Sequence, residues 1–187
     1  MLMFLEEIIN ALWLMLPAYV ANPAAVLFKG KLPIDLNRKF FDGRRILGRG
    51  KTWKGFFGGA FSGIIIGEIE QILATFLPNS YFIQFSSDQI QALLILITIS
   101  FGSMLGDSIG SFIKRRINLE SGANALFLDQ YPFLIISLLL YYLFFSSEFL
   151  KYIWNTFSIV TLIVITPLLH RLVNILGFKI GKKGVPW

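Results

Sequence analysis

The sequence contains no cysteine among its 187 residues, so a disulfide framework, a thiolate metal site and a thiol nucleophile are excluded. Charge is also scarce, because Asp, Glu, Lys and Arg make up only 15% of the chain. In soluble domains, roughly a quarter of the residues are charged. Hydrophobic residues account for 55% and lie in long blocks, and a small soluble chain could not bury them all. These features predict an integral membrane protein.

The N-terminus lacks the basic region of a secretory signal peptide. Residues 1–10 contain Glu6 and Glu7 but no Lys or Arg. We therefore expect no cleaved signal, and the first helix belongs to the mature protein. No soluble domain and no low-complexity segment is visible. Residues 1–187 are predicted to form a single membrane domain.

The apolar blocks predict an all-α, polytopic protein with about five transmembrane helices. Each block is long enough to span the hydrocarbon layer, allowing for tilt. The predicted spans are residues 4–21, 53–77, 90–106, 131–146 and 155–176.

The basic residues agree with this topology. With the N-terminus outside, every Lys and Arg except Lys151 falls on one side, which the positive-inside rule makes cytoplasmic. The C-terminus is then cytoplasmic too. The net charge of +6 is thus attributed to topology and anionic lipid, and no nucleic-acid partner is expected. Residues 22–52 are predicted to form a basic cytoplasmic loop or cap, and residues 107–130 a cytoplasmic catalytic loop.

One polar stripe follows the third span. Asp107, Ser111, Lys114 and Arg115 are spaced to share one helix face. A carboxylate, a hydroxyl and two cations on one stripe suit a metal ion together with phosphates. An interfacial helix end with solvated charges would give the same spacing.

A second carboxylate precedes the fourth span on the same predicted side. Asp129, followed by Gln130, would complement Asp107, since two carboxylates from different segments suit a divalent metal site for phosphate chemistry. The alternative for Asp129 is a helix N-cap before Pro132.

A glycine-rich segment, residues 48–55, opens the second span. It contains Gly-Lys-Thr, but it is not a P-loop: the position six residues before Lys51 is Arg45, and no strand precedes it. Exposed backbone N–H groups, a helix N-terminus and Lys51 still favour phosphate binding. Glycines recur every fourth residue along spans two and three, as in close helix packing.

Other polar residues carry weaker signals. Asn22 with Pro23 is predicted to end the first span, and His170 and Asn174 share a face of the last. Glu68 and Glu70 suggest function if they lie within the membrane, unless the second span ends near residue 67.

Two segments resemble the CDP-diacylglycerol synthase family. Residues 50–59 are similar to its Gly-Lys-Thr-Trp-x-Gly-Phe-x-Gly-Gly segment, and residues 106–115 to its Gly-Asp-x-x-x-Ser-x-x-Lys-Arg segment. Asp129 stands where the family has the first Asp of Asp-Arg-x-Asp. The chain departs from that signature at 124–126, Gln130 and Pro132. With its short length and the Phe-Phe-Asp-Gly-Arg-Arg run at 40–45, it resembles the archaeal branch, the CDP-archaeol synthases.

The resemblance implies a Mg²⁺-dependent cytidylyltransferase of archaeal phospholipid biosynthesis. It would use CTP to activate 2,3-di-O-geranylgeranylglycerol 1-phosphate, an unsaturated diether lipid phosphate, to CDP-archaeol with release of pyrophosphate. The implied catalytic residues are Asp107, Asp129 and Lys114, the two aspartates holding one or two Mg²⁺ ions.

The remaining predicted contacts are grouped by role. Phosphates of CTP would be bound by Lys51, Thr52, Lys54, Ser111, Lys114, Arg115 and Gln130. The isoprenoid chains would lie in a lipid groove along Gly55, Gly59, Gly63, Gly102, Gly106 and Gly110. Secondary polar contacts would come from Asn22, Asp35, Asp42, His170 and Asn174.

Two other classes of function stay open at this stage. A CTP-dependent polyprenol or lipid kinase would need the same metal, phosphates and buried lipid. A small transporter would carry polar groups through the bilayer midplane, whereas most of the polar groups here gather at one interface. The oligomeric state is not fixed by the sequence.

Overall fold

The computed structural model describes residues 2–78, 80–120 and 122–181. Within those ranges the chain is helical, as predicted, and contains seven helices with no extended strand. They are α1 (Leu2–Leu27), α2 (Trp53–Leu73), α3 (Gln89–Arg116), α4 (Leu126–Gln130), α5 (Pro132–Phe144), α6 (Ser146–Tyr152) and α7 (Thr156–Lys179).

Four helices, α1, α2, α3 and α7, are long and apolar enough to cross a membrane. The fourth predicted span, residues 131–146, differs, because α5 has only 13 residues and the chain leaves helical geometry at Phe145 before α6 begins. The first span is longer than predicted: α1 continues through Asn22 and Pro23, so the predicted end at Asn22 is wrong. Neighbouring helices allow proline inside a membrane helix.

The helices cross the bundle in alternating directions. Gly55 lies against Ala25 and Gly63 against Pro17, so α1 and α2 are antiparallel. Contacts of the same kind show that α2 is antiparallel to α3 and that α3 is antiparallel to α5. In contrast, α7 runs parallel to α1, because Ser158 bonds to Glu7 and Thr166 to Tyr19.

This arrangement gathers the basic segments at one end of the bundle. We call it the basic end: residues 28–52, the last turns of α3, residues 117–120 and 122–131, and the end of α7. The predicted grouping of these segments is therefore confirmed. The predicted basic positions 182 and 183 lie outside the described residues.

Neighbouring helices fill the space beside the glycines of α2 and α3. A Cβ atom on Gly59 would lie 2.5 Å from the carbonyl oxygen of Ala21, and one on Gly63 would lie 2.6 Å from that of Pro17. The backbone at Ser137, Pro132 and Leu128 packs against the glycines of α3 in the same way. The predicted lipid groove is thus wrong at all six positions, Gly55, Gly59, Gly63, Gly102, Gly106 and Gly110. Their role is to let helix backbones approach closely.

The two glutamates of the second span lie within helix α2, which continues past Gly67 to Leu73. Glu68 accepts a hydrogen bond from the side chain of Gln89. Glu70 is buried, and neither of its carboxylate oxygens has a hydrogen-bond partner among the described residues. The helix therefore does not end near Gly67, and whether the membrane-spanning part ends there stays a prediction.

Candidate active site at the basic end

Asp35 organises the segment between α1 and α2. Its carboxylate accepts hydrogen bonds from the Arg45 guanidinium at 2.5 and 3.1 Å, and from the backbone N–H groups of Asn37, Leu47 and Gly48. The last of these needs a φ of 125° at Gly48, a conformation that favours glycine. The Asp35 side chain is fully buried. Its predicted role as a nucleotide contact is therefore wrong, and it acts as the structural centre of the loop.

The Asp35 network makes the stability of the protein depend on pH. Burial raises the pKa of the Asp35 carboxyl, but the hydrogen bonds from Arg45 and the backbone outweigh it and lower the pKa to about 2. A carboxyl whose folded pKa is below its unfolded value stabilises the fold above the unfolded pKa. That contribution, on the order of 2 kcal/mol, is lost as pH falls from about 4 toward 2.

We expect Asp35→Asn to lower the free energy of unfolding by about 3 kcal/mol at neutral pH, since it leaves Arg45 without its buried partner. Thermal unfolding in detergent measures this. The matched control is Asp42→Asn, which breaks a more exposed ion pair and should cost less than about 1 kcal/mol. The difference between wild type and Asp35→Asn should shrink as pH is lowered. Equal effects of the two substitutions at neutral pH would contradict this role.

The loop is fastened to the end of α3 by arginines. Arg44 donates to the backbone carbonyl of Arg116 at 2.8 Å, and Arg116 donates to the Asp42 carboxylate at 3.1 Å and to the Arg45 carbonyl at 2.6 Å. The Arg116 guanidinium also lies 4.7 Å from the centre of the Phe40 ring. Asp42, predicted as a secondary substrate contact, is thus engaged within the protein.

The sequence predicts Arg44 and Arg45 only as part of the basic loop or cap, and it predicts no separate role for Arg116. The run at residues 40–45, which contributes to the family resemblance, contains the first two of these arginines. The arginines join the loop and helix α3 into one surface, which places residues 28–52 beside the polar stripe. The described loop is shorter than predicted, because residues 22–27 belong to α1.

The N-terminus of α2 is capped by Thr52. Its hydroxyl oxygen accepts from the backbone N–H groups of Gly55 at 3.2 Å and of Gly30 at 3.0 Å. Thr52 is 3% exposed, so the predicted contact between Thr52 and phosphate is replaced by a capping role. Lys54 is exposed, and its side chain packs on Gly30. Lys51 precedes the cap and points to α3.

Two lysine–aspartate pairs lie along α3. The Lys51 ammonium is 2.5 Å from the Asp107 carboxylate, and Lys114 forms an ion pair with Asp129. The second oxygen of Asp129 accepts the Ala125 N–H at 2.8 Å, a local bond at the start of α4, whereas the ion pair with Lys114 joins α4 to α3. The four side chains are 15–28% exposed, so solvent or a ligand reaches them. These pairs confirm that Lys51, Asp107, Lys114 and Asp129 meet at one end of the bundle.

The pairs are successive along the helix. Asp107 and Lys114 are seven residues apart, which corresponds to about 10 Å along the axis of α3. Each aspartate has its own lysine partner, and no cluster of three His, Asp or Glu side chains that could hold a metal occurs in the described ranges. Mg²⁺ does not require such a cluster, since it is usually held by one or two carboxylates, water and substrate phosphates. Asp107 and Asp129 are therefore each suited to contribute one carboxylate to such an ion.

The segment 107–130 is largely helical, which corrects the predicted catalytic loop. Residues 107–116 are the last turns of α3, and α4 occupies 126–130. Ser111 and Arg115 are buried on α3 between and beside the two pairs. The Arg115 Nε has no hydrogen-bond partner among the described residues. Gln130 is the last residue of α4 and half-buried.

The other secondary residues lie on helices α1 and α7. Asn22 lies inside α1, and its buried side-chain oxygen has no hydrogen-bond partner in the part of the chain described. The Asn174 amide lies 3.2 Å from His170 Nδ1, so the predicted shared face is confirmed. Whether these three side chains contact a substrate stays a prediction.

Together these residues form a surface that is suited to polyphosphate. It combines the positive end of the α2 dipole, at least three cationic side chains and two partly exposed carboxylates. Each lysine neutralises the charge of one aspartate carboxylate, and a bound metal ion would neutralise that charge in its place. The arrangement therefore resembles sites that bring two anionic groups together.

Comparison with known proteins gives independent information on the family of the chain. Residues 4–187 match a family model described as CarS-like CDP-archaeol synthase. The chain is 45% identical to the CDP-archaeol synthase of Pyrococcus horikoshii, covering 99% of this chain and 100% of that one, and 41% identical to that of Picrophilus torridus, covering 96% and 97%. A solved structure described as an intramembrane enzyme for archaeal membrane lipids biosynthesis superposes with a TM-score of 0.71 at 32% identity. It covers 88% of this chain and 92% of that one.

Proposed function

This multi-pass membrane protein belongs to the CDP-archaeol synthase family and synthesises CDP-archaeol in lipid biosynthesis; we propose that it does so by transferring the cytidylyl group of CTP at the basic end. The acceptor is the phosphate of an unsaturated isoprenoid diether glycerol phosphate. The observation that carries the proposal is the row of two lysine–aspartate pairs on α3 beside the capped N-terminus of α2.

The reaction is an in-line displacement at phosphorus. An oxygen of the lipid phosphate forms a bond to the α-phosphorus of CTP, and the bond from that phosphorus to the bridging oxygen of the β-phosphate breaks. Pyrophosphate leaves with the bonding electrons. The lipid phosphate is already ionised near neutral pH, so no general base is required. The main barrier is repulsion between two polyanions, which positioning and opposite charge reduce.

The residues of the basic end have different roles in this reaction. Lys51, at the N-terminus of α2, and Lys114 with Arg115, at the end of α3, bind phosphate oxygens of CTP. Asp107 and Asp129 would hold Mg²⁺, which would supply charge neutralisation at the transferring phosphate. Ser111 lies on the same face of α3 and donates a hydrogen bond to a phosphate. With nucleotide and Mg²⁺ bound, Lys51 and Lys114 would contact phosphate oxygens in place of their aspartate partners.

The membrane orientation follows from charge and chemistry. The basic end carries nearly all Lys and Arg of the described residues, and the positive-inside rule places such an end in the cytoplasm, where CTP is available. The N-terminus is then external. The lipid substrate stays in the membrane while its phosphate reaches the basic end.

Labelled CTP tests the function directly. With purified protein, Mg²⁺ and an isoprenoid diether glycerol phosphate, we expect label from the α-phosphate of CTP in a lipid product, and label from the γ-phosphate in pyrophosphate. The mass of the lipid product identifies CDP-archaeol. Transfer of the γ-label to lipid would show a lipid kinase instead, and flux through proteoliposomes without nucleotide would indicate a transporter. Either result, without α-label in lipid, would overturn the proposal.

A further inference from the structure

A turn at residues 40–43, in the loop between α1 and α2, presents a phenylalanine at its tip. The Gly43 N–H closes the turn by donating to the Phe40 carbonyl at 3.0 Å, and Gly43 has a φ of 75°. Phe41 is thus part of a hydrogen-bonded turn, yet it is 98% exposed. An aromatic ring held in this way gains free energy when it leaves water.

The turn is fixed to the last turns of α3. The Phe40 ring meets the Phe112 ring edge to face, with 5.4 Å between their centroids. The Arg116 guanidinium lies 4.7 and 4.9 Å from the centres of these two rings, and it also donates to the Asp42 carboxylate. These contacts fix the position of the Phe41 tip relative to the helix bundle.

The part of α3 next to this turn faces the lipid. An apolar stripe of exposed residues recurs every fourth position and consists of Leu105, Ile109, Ile113 and Ile117. Phe112 lies beside this stripe, because residues three apart on a helix are neighbours and Ile109 is three residues before it. The turn that packs on Phe112 therefore lies at the edge of a lipid-facing surface.

The length of α3 places the turn at the level of the lipid headgroups. Helix α3 has 28 residues, whereas a hydrocarbon layer of about 30 Å takes only about 20. The first turn of α3 contains Gln91, whose side chain donates to the Glu148 carboxylate at 2.6 Å and so marks a polar boundary. Counted from Gln91, the hydrocarbon layer ends about 20 residues later, next to Phe112.

Two exposed cations precede the tip. Arg38 and Lys39 form no ion pair within the described residues. The carboxylate of the turn, Asp42, is already paired with Arg116. An aromatic ring next to unpaired cations suits an anionic membrane surface, where rings insert below the headgroups while Lys and Arg bind phosphates.

We propose that the turn at residues 40–43 docks on the anionic lipid surface at the basic end, with its exposed ring below the headgroups and Arg38 and Lys39 on headgroup phosphates. The inference depends on the membrane setting of the chain and not on its reaction. The Asp35 network connects this turn to the rest of the loop, so docking also holds the loop against the membrane surface.

Spin-label depth measurements test the docking, because the chain has no cysteine of its own. A nitroxide is attached to Phe41→Cys, and its collisions with oxygen and with a water-soluble nickel chelate are measured in proteoliposomes. Two reference positions are matched to it: Glu120→Cys, exposed at the same end, and Leu105→Cys, on the lipid-facing stripe of α3. The vesicles are phosphatidylcholine alone or an equal mixture of phosphatidylcholine and phosphatidylglycerol.

In the mixed vesicles we expect the ratio of oxygen to chelate collisions at position 41 to be at least about threefold that at position 120, because interfacial rings lie about 5–10 Å deep. Replacing both Arg38 and Lys39 with glutamine should lower the ratio at position 41 to its value in phosphatidylcholine. Equal ratios at positions 41 and 120 in both kinds of vesicle would place the turn in water and overturn the proposal, whether or not the protein makes CDP-lipid. A high ratio at position 41 that neither the lipid charge nor the glutamine substitutions change would overturn the headgroup contacts.

Tryptophan fluorescence gives a second readout that keeps an aromatic ring at the tip. Phe41→Trp adds one fluorophore to the four native tryptophans, and the added signal is the difference from wild type. We expect phosphatidylglycerol brominated near the glycerol end of its chains to quench this added signal, and aqueous iodide to leave it largely unchanged. Quenching by iodide and not by the brominated lipid would contradict the docking.

Discussion

Replacing Asp107 with asparagine is expected to abolish cytidylyl transfer, with kcat falling by about a thousandfold or more while the protein stays folded. The substitution keeps the size of the side chain but removes the charge that pairs with Lys51 and would hold Mg²⁺. Charge neutralisation at a transferring phosphate typically contributes this much. The assay is incorporation of α-labelled CTP into lipid at saturating substrate and a range of Mg²⁺ concentrations.

Glu68→Gln serves as the control for Asp107→Asn. Glu68 lies at the opposite end of the bundle, and glutamine can still accept the hydrogen bond from Gln89. We expect wild-type activity. Thermal unfolding of both variants should match that of the wild type. Near-full activity of Asp107→Asn with Mg²⁺ would remove Asp107 from the proposed metal site.

Asp129→Asn is expected to have the second largest effect, a loss of at least about a hundredfold in kcat. The asparagine oxygen can still accept the Ala125 N–H at the start of α4, so this local hydrogen bond is kept, and thermal unfolding checks that the fold is kept as well. We also expect the concentration of Mg²⁺ that gives half-maximal activity to rise. Glu120→Gln, in the same connecting segment, is the matched control and should behave as wild type.

Lys114→Met separates two roles of Asp129. If Asp129 holds the metal, Asp129→Asn raises the Mg²⁺ requirement and Lys114→Met does not. If Asp129 only positions Lys114, both substitutions lower kcat equally and the double variant is no worse than either, because the two residues then act as one unit. That second pattern would contradict the assignment of Asp129 as a metal ligand.

The site residues could be predicted from the sequence because their chemistry depends on spacing along a helix. Asp107 and Lys114 share a face of α3 by periodicity alone, and the positive-inside rule gathers the lysines at one end. Four spans were recognisable from length and hydropathy. The resemblance of residues 50–59 and 106–115 to a known family added the reaction, which spacing alone does not give.

Other features depend on contacts between distant segments, which periodicity does not encode. The ring of donors around Asp35 needs Arg45 to fold back across a loop, and sequence reasoning therefore misread Asp35 as a substrate contact. Glycine ridges fit either an open groove or a close helix contact, and only the positions of Ala21 and Pro17 decide between them.

The short α5 has a consequence for the surrounding bilayer. A helix of 13 residues rises about 20 Å, roughly 10 Å less than a typical hydrocarbon layer. Local thinning of the bilayer beside such a helix would draw lipid headgroups toward the membrane centre. Beside α5 this would bring a phosphate deeper, toward the level of Tyr131 and Asp129. An acceptor lipid would then have a shorter distance to travel before it meets the nucleotide, and its chains would not need to leave the leaflet.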